Sequence, residues 1–282
     1  MDSFKATELL KLWRASKNSS GEQNGQLTII GGSSLFHGAP FLSLLAASRI
    51  VDMVFFSSPY EPLRDVAAYL KSQIQSFIWV PFDEVEDYIK KSDAALIGPG
   101  LMRARSEDAN HKHTKSNGDF CDEECQKTRD MTKKLLGAFP QHKWVIDAGS
   151  LQVMDADWIP ENAIVTPNSH EYEGLFGDMK VQEAATQYKC LIVQKGPTSI
   201  VASSTKSVEI IGGNEGMTKG GTGDVLAGVT AALLTKNEPF LAAASASYIV
   251  KAAGDLLYST VGPYYNADDL ADEVSRVMGK LV

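Results

Sequence analysis

Residues 216–228 read GMTKGGTGDVLAG, and this stretch largely determines the fold prediction. Three glycines fall within positions 220–223, which disfavours a helix interior but lets backbone amides approach an anion closely. The segment 225–234 that follows has the residues of a good helix, so its unpaired N–H groups and the positive end of its dipole face the glycine loop. The pattern predicts an anion-binding site at a helix N-terminus.

Asp224 lies in the first turn of that predicted helix. A lone aspartate there is most simply a residue that satisfies helix amides. Next to a glycine loop and Thr222, however, it is placed to take a proton from a hydroxyl while the amides stabilise charge on a phosphoryl group. No Gly-Lys-Ser/Thr closes the loop, and it does not open a first βαβ unit, so it is neither a Walker loop nor a dinucleotide fingerprint. We predict phosphoryl transfer to an alcohol.

Upstream of this loop, short apolar runs alternate with helix-length amphipathic stretches. Continuous apolar strands separated by helices are typical of a parallel sheet that is covered on both faces. The fold class is therefore predicted as α/β, with a hairpin at 199–202 and 208–211 after the parallel strands. The predicted strands are 27–30, 53–56, 76–80, 94–97, 144–146, 163–165 and 191–193.

Composition limits the class of protein. The chain has 282 residues, 44% of them hydrophobic, and a net charge of −8, which argues against a nucleic-acid or anionic-membrane partner. No apolar run reaches the about 18 residues of a membrane span, and the polar N-terminus lacks the apolar segment of a signal peptide. Three cysteines fit a reducing compartment, so we expect a cytoplasmic protein. We predict an N-terminal extension and linker at 1–25, with a helical stretch at 7–15, and one domain at 26–282.

Residues that suggest chemistry follow the predicted strands. In parallel sheets, ligands bind at the carboxyl ends of the strands, where such residues meet. Lys195 is either a cation directed at phosphate or an exposed turn lysine. Asp147 either orients a hydroxyl or a metal-bound water, or caps the next turn. Gly98 and Gly100 either let a ligand approach or serve a tight turn.

Residues 221–224 resemble the anion-hole and base motif of the ribokinase-like superfamily. The longer string 216–228 resembles that of the NAD(P)H-hydrate dehydratases within it. The resemblance extends from about Gln26 to the C-terminus and implies a three-layer α/β/α fold with a mostly parallel central sheet. Further segments resemble the family's landmarks in order: 29–33, 37–40, 97–101, 145–151, 166–171 and 195–198.

The resemblance implies a nucleotide-repair lyase. Family members dehydrate the C6-hydrated form of NADH or NADPH (the S-epimer), using ADP or, in some members, ATP. Asp224 would deprotonate the C6 hydroxyl as it attacks the terminal phosphorus, and elimination of phosphate would restore the ring. ADP hydrolysis would yield AMP and phosphate, with Mg²⁺ bridging the nucleotide phosphates. Residues 166–168 are also similar to those of ATP-using eukaryotic members, but we favour ADP, because a dehydratase without the companion epimerase domain resembles the ADP-using members.

The resemblance also implies site residues. Asn168 stands where many members have histidine, so no acid/base role is expected there. The family segment that 145–151 resembles contains a second Asp-Ala, and this chain has Gly149 and Ser150 in its place. Any role of that second carboxylate is therefore in doubt for this chain. The substrate-binding residues implied are Ala39, Gly98, Gly100, Asn168, Glu171 and Asp224. Those for the nucleotide are Lys195, Gly196, Pro197, Thr198, Ser199, Gly221, Thr222 and Gly223.

A zinc site built from His111, His113, Cys121 and Cys125 is discounted, because the spacing fits no standard finger. No protein ligand to a metal is predicted.

The expected partners are the hydrate, the adenine nucleotide, further copies of the chain and a separate epimerase. A tetramer is favoured, and the small residues of 241–253 are expected to pack in the core or to lie against a neighbouring subunit. Two alternatives stay open: a small-alcohol kinase of the hydroxyethylthiazole or pyrimidine type, and a nucleotide-binding sensor without turnover.

Overall fold

The computed structural model describes residues 2–72, 74–103 and 121–282, in which ten strands form one sheet in the order β1-β10-β9-β8-β7-β6-β5-β2-β3-β4. Neighbouring strands are parallel, except that β9 runs antiparallel to β8 and β10. This confirms the mostly parallel sheet and the hairpin after it. The strands are β1 (Asp2–Ser3), β2 (Gln26–Ile30), β3 (Met53–Ser57), β4 (Ile78–Trp79), β5 (Ala94–Ile97), β6 (Trp144–Ile146), β7 (Ile164–Val165), β8 (Leu191–Gln194), β9 (Ser199–Ala202) and β10 (Ser207–Ile210).

Helices cover both faces of the sheet. Consecutive strand residues point to opposite faces, so Leu96 belongs to one core and Ala95 and Ile97 belong to the other. Both cores are apolar, which explains why the strands lack polar alternation. The helices are α1 (Gly38–Ala47), α2 (Leu63–Leu70), α3 (Val85–Lys91), α4 (Glu123–Ala138), α5 (Ala148–Val153), α6 (Ser169–Phe176), α7 (Val181–Gln187), α8 (Thr222–Leu234), α9 (Pro239–Val261) and α10 (Ala267–Leu281).

The layer that carries the anion loop consists of α1, α2, α8, α9 and α10, and the opposite layer consists of α3 to α7. α9 is the one described helix that is long and apolar enough to cross a membrane, but 67% of the relevant window is buried inside the protein. Its Ala and Ser face packs against α8 and α10. These small residues are therefore packed within the chain, and contact of α9 with a neighbouring subunit stays a prediction.

The N-terminal residues also pack on the sheet. β1 pairs with β10, and a 3₁₀ helix at Ala6–Lys11 buries Leu9 completely. This 3₁₀ helix replaces the longer helix expected at 7–15, which was wrong in type and extent. The boundary at residue 25 stays a prediction.

The direction of winding reverses between β2 and β5. Chain order runs outward from β2 through β3 to β4 on one side, and from β5 through β6 and β7 to β8 on the other. Ligands of open α/β sheets bind beside such a point, at the carboxyl ends of the strands. The two glycine turns that follow β2 and β5 meet there, since Gly32 N donates to Pro99 O at 2.8 Å.

Two of the three cysteines, Cys121 and Cys125, form a disulfide at the start of α4, and Cys190 is a free, buried thiol. The sequence did not predict this bond, which counts against the cysteine argument for a reducing compartment. Of the four residues of the discounted zinc site, His111 and His113 lie outside the described residues.

Candidate active site

Side-chain and backbone contacts fix the conformation of the glycine loop where it enters α8. Gly221, the N-cap residue, has φ 94°, and a Cβ there would lie 2.4 Å from Leu42 Cδ1, so both conformation and space require glycine. Thr222 Oγ1 donates to the carbonyl oxygens of Met217 (2.7 Å) and Lys219 (3.0 Å). Thr222 N donates to Lys219 O at 3.4 Å, so this amide is not the fully free anion donor expected. Asp224 follows as the third residue of the helix.

Lys219 does not add its charge to the anion loop. Its ammonium donates to the carbonyl oxygens of Pro263 and Tyr265 and lies over the Tyr265 ring, 5.2 Å from the centroid. The lysine therefore ties the loop to the segment between α9 and α10.

Lys195 is held among carboxylates at the carboxyl ends of the strands. Its Nζ lies 2.8 Å from Asp147 Oδ1 and 3.8 Å from Glu171 Oε2, and its side chain is 19% exposed. Burial alone would lower its pKa, but Asp147 and Glu171 outweigh burial and raise it. The exposed-turn interpretation of Lys195 is wrong.

Asp147 does not cap the helix that follows it. Its side chain makes no cap hydrogen bond to α5, and instead accepts from Lys195 Nζ (2.8 Å) and Thr166 Oγ1 (2.7 Å). The side chain is 1% exposed. Asp147 therefore binds the ammonium of Lys195. The capping interpretation is wrong, and orientation of a substrate hydroxyl or of a metal-bound water by Asp147 stays a prediction.

The Asp224 carboxyl group has the most consequential electrostatic environment in the site. Its pKa is raised from 3.8 to about 7, mainly by burial and then by the charge of Asp147, while Lys195 opposes the rise and Glu171 adds to it. A carboxyl group with a pKa near neutrality is suited to accept a proton at physiological pH. The arrangement can therefore perform general base catalysis at the N-terminus of a helix.

α1 connects Asp224 to the first glycine turns. Ser43 Oγ donates to the backbone carbonyl of Asp224 at 2.7 Å. One turn earlier on α1 lies Ala39, and a Cβ built on Gly100 would lie 3.3 Å from Ala39 Cβ. The structure thus brings Ala39 and Gly100 together on the helix that also contacts Asp224. Ser43 was missed by sequence reasoning, since a serine inside an apolar helix carries no motif.

A cavity of about 570 Å³ opens beside the first turn of α8. This volume lies within the range of small-molecule sites. Six of the eight residues implied for the nucleotide line this cavity, whereas Thr198 and Gly221 are not among its described lining residues. The lining comprises Asn168, Lys195, Gly196, Pro197, Ser199, Gly212, Gly213, Asn214, Glu215, Met217, Thr218, Thr222, Gly223, Leu226, Ser247, Val250 and Lys251.

Comparison with known proteins agrees with this geometry. Residues 27–276 match the family model described as NAD(P)H-hydrate dehydratase. The chain belongs to the NAD(P)H-hydrate dehydratase family.

Two relatives illustrate the range of this family. The bifunctional NAD(P)H-hydrate repair enzyme Nnr of Methanocaldococcus jannaschii is 34% identical over 96% of this chain and 51% of its own length. The ADP-dependent (S)-NAD(P)H-hydrate dehydratase of Nitrosopumilus maritimus is 30% identical over 94% of this chain and 92% of its own length. The chain thus spans about half the length of the bifunctional relatives.

Two solved structures share the fold. A ribokinase-like superfamily protein of Enterococcus faecalis aligns with a TM-score of 0.79 at 21% identity, covering 100% of this chain and 96% of that one. The ADP/ATP-dependent NAD(P)H-hydrate dehydratase of Bacillus subtilis, co-crystallised with ATP and Mg²⁺, aligns with a TM-score of 0.76 at 20% identity, covering 100% and 99%. The ribokinase-like three-layer fold is confirmed.

Asn168, a departure from many dehydratases, has a structural task in this chain. It caps α6: its side chain accepts from Glu171 N at 3.0 Å, and Glu171 Oε2 accepts from Asn168 N at 2.9 Å. The other carboxylate oxygen of Glu171 accepts from Gln152 Nε2 at 2.8 Å. Asn168 also lines the cavity, whereas both oxygens of Glu171 are occupied by protein groups. Contact of Glu171 with substrate stays a prediction.

The two glycines of the β5 turn pack against backbone. A Cβ on Gly98 would lie 1.8 Å from Asp147 O, and one on Gly100 would lie 2.4 Å from Phe36 O. Their φ values, 126° and 70°, are in the left-handed half of the map. Close packing of the turn explains both glycines, and their contact with a pyridine nucleotide stays a prediction.

The donor set does not fit a protein-bound Mg²⁺. Across 2–72, 74–103 and 121–282, no group of three or more His, Cys, Asp or Glu side chains could hold a metal ion. The buried carboxylate of Asp147 is already shared between Lys195 and Thr166.

Proposed function

We propose that this protein is an ADP-dependent NAD(P)H-hydrate dehydratase, which restores NADH or NADPH from the S-epimer of the C6 hydrate. The observation that supports this most is Asp224, a carboxyl group with a pKa of about 7 in the first turn of α8, directly after Gly223, which lines the cavity of about 570 Å³. The family of the chain supplies the substrate class.

The proposed reaction begins at the C6 hydroxyl of the hydrate. Asp224 removes its proton as the hydroxyl oxygen attacks the terminal phosphorus of ADP, and the bond from that phosphorus to the bridging oxygen breaks to release AMP. First-turn amides of α8, among them those of Gly221 and Gly223, stabilise charge on the phosphoryl group, about 3 kcal/mol for each donor. Phosphate is a far better leaving group than hydroxide, so the bond from C6 to the ester oxygen then breaks as C5 loses a proton, which restores the C5–C6 double bond of the dihydropyridine ring and releases phosphate.

Lys195 has an indirect part in this proposal. Its ammonium is bound to Asp147, and a Cβ on Gly223 would lie 3.3 Å from its Nζ, so it lies next to the first turn of α8. From there it lowers the pKa of Asp224, which would otherwise rise still further. Lys195 thus keeps the base ionisable at neutral pH and adds positive charge on the phosphate side of the cavity.

We propose that Mg²⁺ arrives with the nucleotide. Mg²⁺ commonly keeps several waters and is bound through substrate phosphates rather than an all-protein cage. Of the solved neighbours, the Bacillus subtilis enzyme was crystallised with ATP and Mg²⁺. We favour ADP over ATP as the donor, since the full-length relative from Nitrosopumilus maritimus is named ADP-dependent.

The direct experiment supplies hydrated NADH with ADP and, separately, with ATP. Recovery of the near-ultraviolet absorbance of the dihydronicotinamide ring, with one AMP and one phosphate per ring restored, is the expected result with ADP. A stable phosphate ester without recovered absorbance would indicate the small-alcohol kinase. Nucleotide binding without either product would indicate the sensor.

Three further proposals concern the setting of the enzyme. We propose a homo-oligomer, with a tetramer favoured, because Tyr258, Val261 and Tyr264 at the end of α9 are exposed by 39%, 45% and 86%. Light scattering after gel filtration tests this, and a monomer would contradict it.

A separate epimerase that supplies the S-epimer is proposed from the bifunctional relatives. A cytoplasmic location is proposed from the small number of cysteines, although the Cys121–Cys125 bond counts against it, and cell fractionation tests it.

A further inference from the structure

Lys251 lies inside α9 and is almost completely buried, with 7% of its surface exposed. Its Nζ donates to three backbone carbonyl oxygens: Gly196 (3.1 Å), Pro197 (2.6 Å) and Gly212 (2.8 Å). A lysine ammonium has three N–H donors, so all three are used within the protein. The ammonium is thus fully occupied before any ligand binds.

This lysine is an expensive residue for stability alone. Burial lowers its pKa, and the charge of Asp255, one helical turn further on, only partly offsets that effect. All three acceptors are neutral carbonyls, and a buried charge without a bonded counter-ion costs more than an apolar side chain in the same place. A role in the neighbouring cavity accounts for its presence better than packing does.

The carbonyls that Lys251 binds belong to two separate walls of the cavity. Gly196 and Pro197 follow β8, whereas Gly212 follows β10, and all three line the cavity together with Lys251 itself. One ammonium therefore joins two loops that approach each other only through the folded sheet.

Asp255 holds the second wall from the same helix. Its carboxylate accepts from Gly213 N at 3.0 Å and from Asn214 Nδ2 at 3.1 Å. A Cβ on Gly212, which has φ 114°, would lie 3.0 Å from Asp255 Oδ2. Lys251 and Asp255 together form a clamp on α9 that fixes the positions of 196–197 and 212–214.

We propose that Lys251 is a positioning residue that sets the affinity of the cavity for nucleotide and has no part in the chemical step. Loops that are already ordered lose less conformational entropy when a ligand binds, so the clamp raises affinity by preorganisation. The first turn of α8 and Asp224 are held by other contacts and stay in place without it. This inference rests on the proposed function, because it takes the ligand to be an adenine nucleotide.

The test compares Lys251→Met and Lys251→Arg with a control at a more exposed lysine, Lys143→Met. Lys143 also donates to two backbone carbonyls, those of Leu234 (3.1 Å) and Thr235 (3.3 Å), and burial also lowers its pKa, but it lies at the far end of α8. ADP affinity is measured by calorimetry, kcat and KM by turnover of the hydrate, and folding by thermal unfolding.

We expect Lys251→Met to weaken ADP binding and to raise KM for ADP by about tenfold or more, with kcat little changed. Lys251→Arg should recover part of the affinity, and Lys143→Met should bind ADP like the wild type. If Lys251→Met does not fold, Asp255→Ala opens the same clamp from its other side and should also weaken ADP binding at unchanged kcat.

Several results would overturn the inference. The first is wild-type ADP affinity in Lys251→Met or, where that variant does not fold, in Asp255→Ala. The second is a fall in kcat of the same variant without a change in its KM for ADP. The third is a loss of ADP affinity in Lys143→Met that equals the loss in Lys251→Met. Absence of ADP binding in the wild-type protein would contradict the proposed function together with this inference. ADP binding by the wild type and an unaffected clamp variant would contradict this inference alone.

Discussion

At the scale of single residues, the chemistry depends on when Asp224 is ionised. Its pKa is raised to about 7 by burial, by Asp147 and by Glu171, against the opposing effect of Lys195. The base must be deprotonated to act, so kcat/KM for the hydrate should fall about tenfold per pH unit below that pKa and level off above it. A rate profile from pH 5 to 9 measures this. A profile that stays flat down to pH 5 would contradict the role of Asp224.

The same pKa makes Asp224 a cost to stability. In the unfolded chain this carboxyl ionises near 3.8, whereas in the folded protein it resists ionisation up to about 7. Stability from this group is therefore fully present below about pH 4, falls as the pH rises to about 7, and is constant above that.

Asp224→Asn should remove this cost. We expect the variant to be more stable than the wild type at pH 8, by at most about 4 kcal/mol, with the difference shrinking towards pH 4. Urea unfolding at several pH values measures it. Equal stability of the two proteins at pH 8 would show that burial does not hold back the ionisation of Asp224.

At the scale of elements, the cap of α6 links stability to the site. Asn168→Ala removes the side-chain acceptor for Glu171 N and should cost about 1 kcal/mol. It should also raise KM for the hydrate, because Glu171, 3.8 Å from Lys195, loses the hydrogen bond from its backbone N–H to the Asn168 side chain. Urea unfolding and steady-state kinetics measure the two effects.

α10 provides the matched control for this change. Asn266 forms the same kind of capping box with Asp269, and Asn266→Ala should cost a similar amount of stability. We expect its KM to stay at the wild-type value. A rise in KM in both variants would mean that the effect is one of general stability, and a rise in neither would separate α6 from the site.

The elements themselves were largely predictable from the sequence. The central parallel strands are apolar throughout because both faces of the sheet are buried, and residues such as Asp147 and Lys195 follow them directly. The glycine loop was predictable for a local reason, since its conformation depends on neighbouring residues. The hairpin of β9 and β10 was likewise local.

Contacts set by packing between distant segments were not predictable. Ser43 reaches Asp224 only because α1 crosses α8, and Lys251 reaches Gly196 and Gly212 only because α9 lies under both loops. The direction of the Asp147 side chain, towards Lys195 rather than the α5 amides, also depends on tertiary structure. No spacing within the chain carries this information.

At the scale of the whole molecule, an acidic protein binds an anionic ligand through local fields. The net charge of −8 disfavours approach of a nucleotide, so attraction must come from the start of α8 and from cations held near it. The three-layer fold supplies this arrangement by bringing the strand ends, α1 and α8 to one edge of the sheet. Neutralising the base should therefore remove chemistry and leave binding intact.

One measurement tests this most directly: ADP binding and turnover of hydrated NADH by Asp224→Asn, determined on the same preparation at pH 8. We predict ADP affinity close to that of the wild type and a loss of turnover of about a thousandfold or more. Turnover within about tenfold of the wild type would contradict the assignment of Asp224 as the base, since general bases contribute more than that.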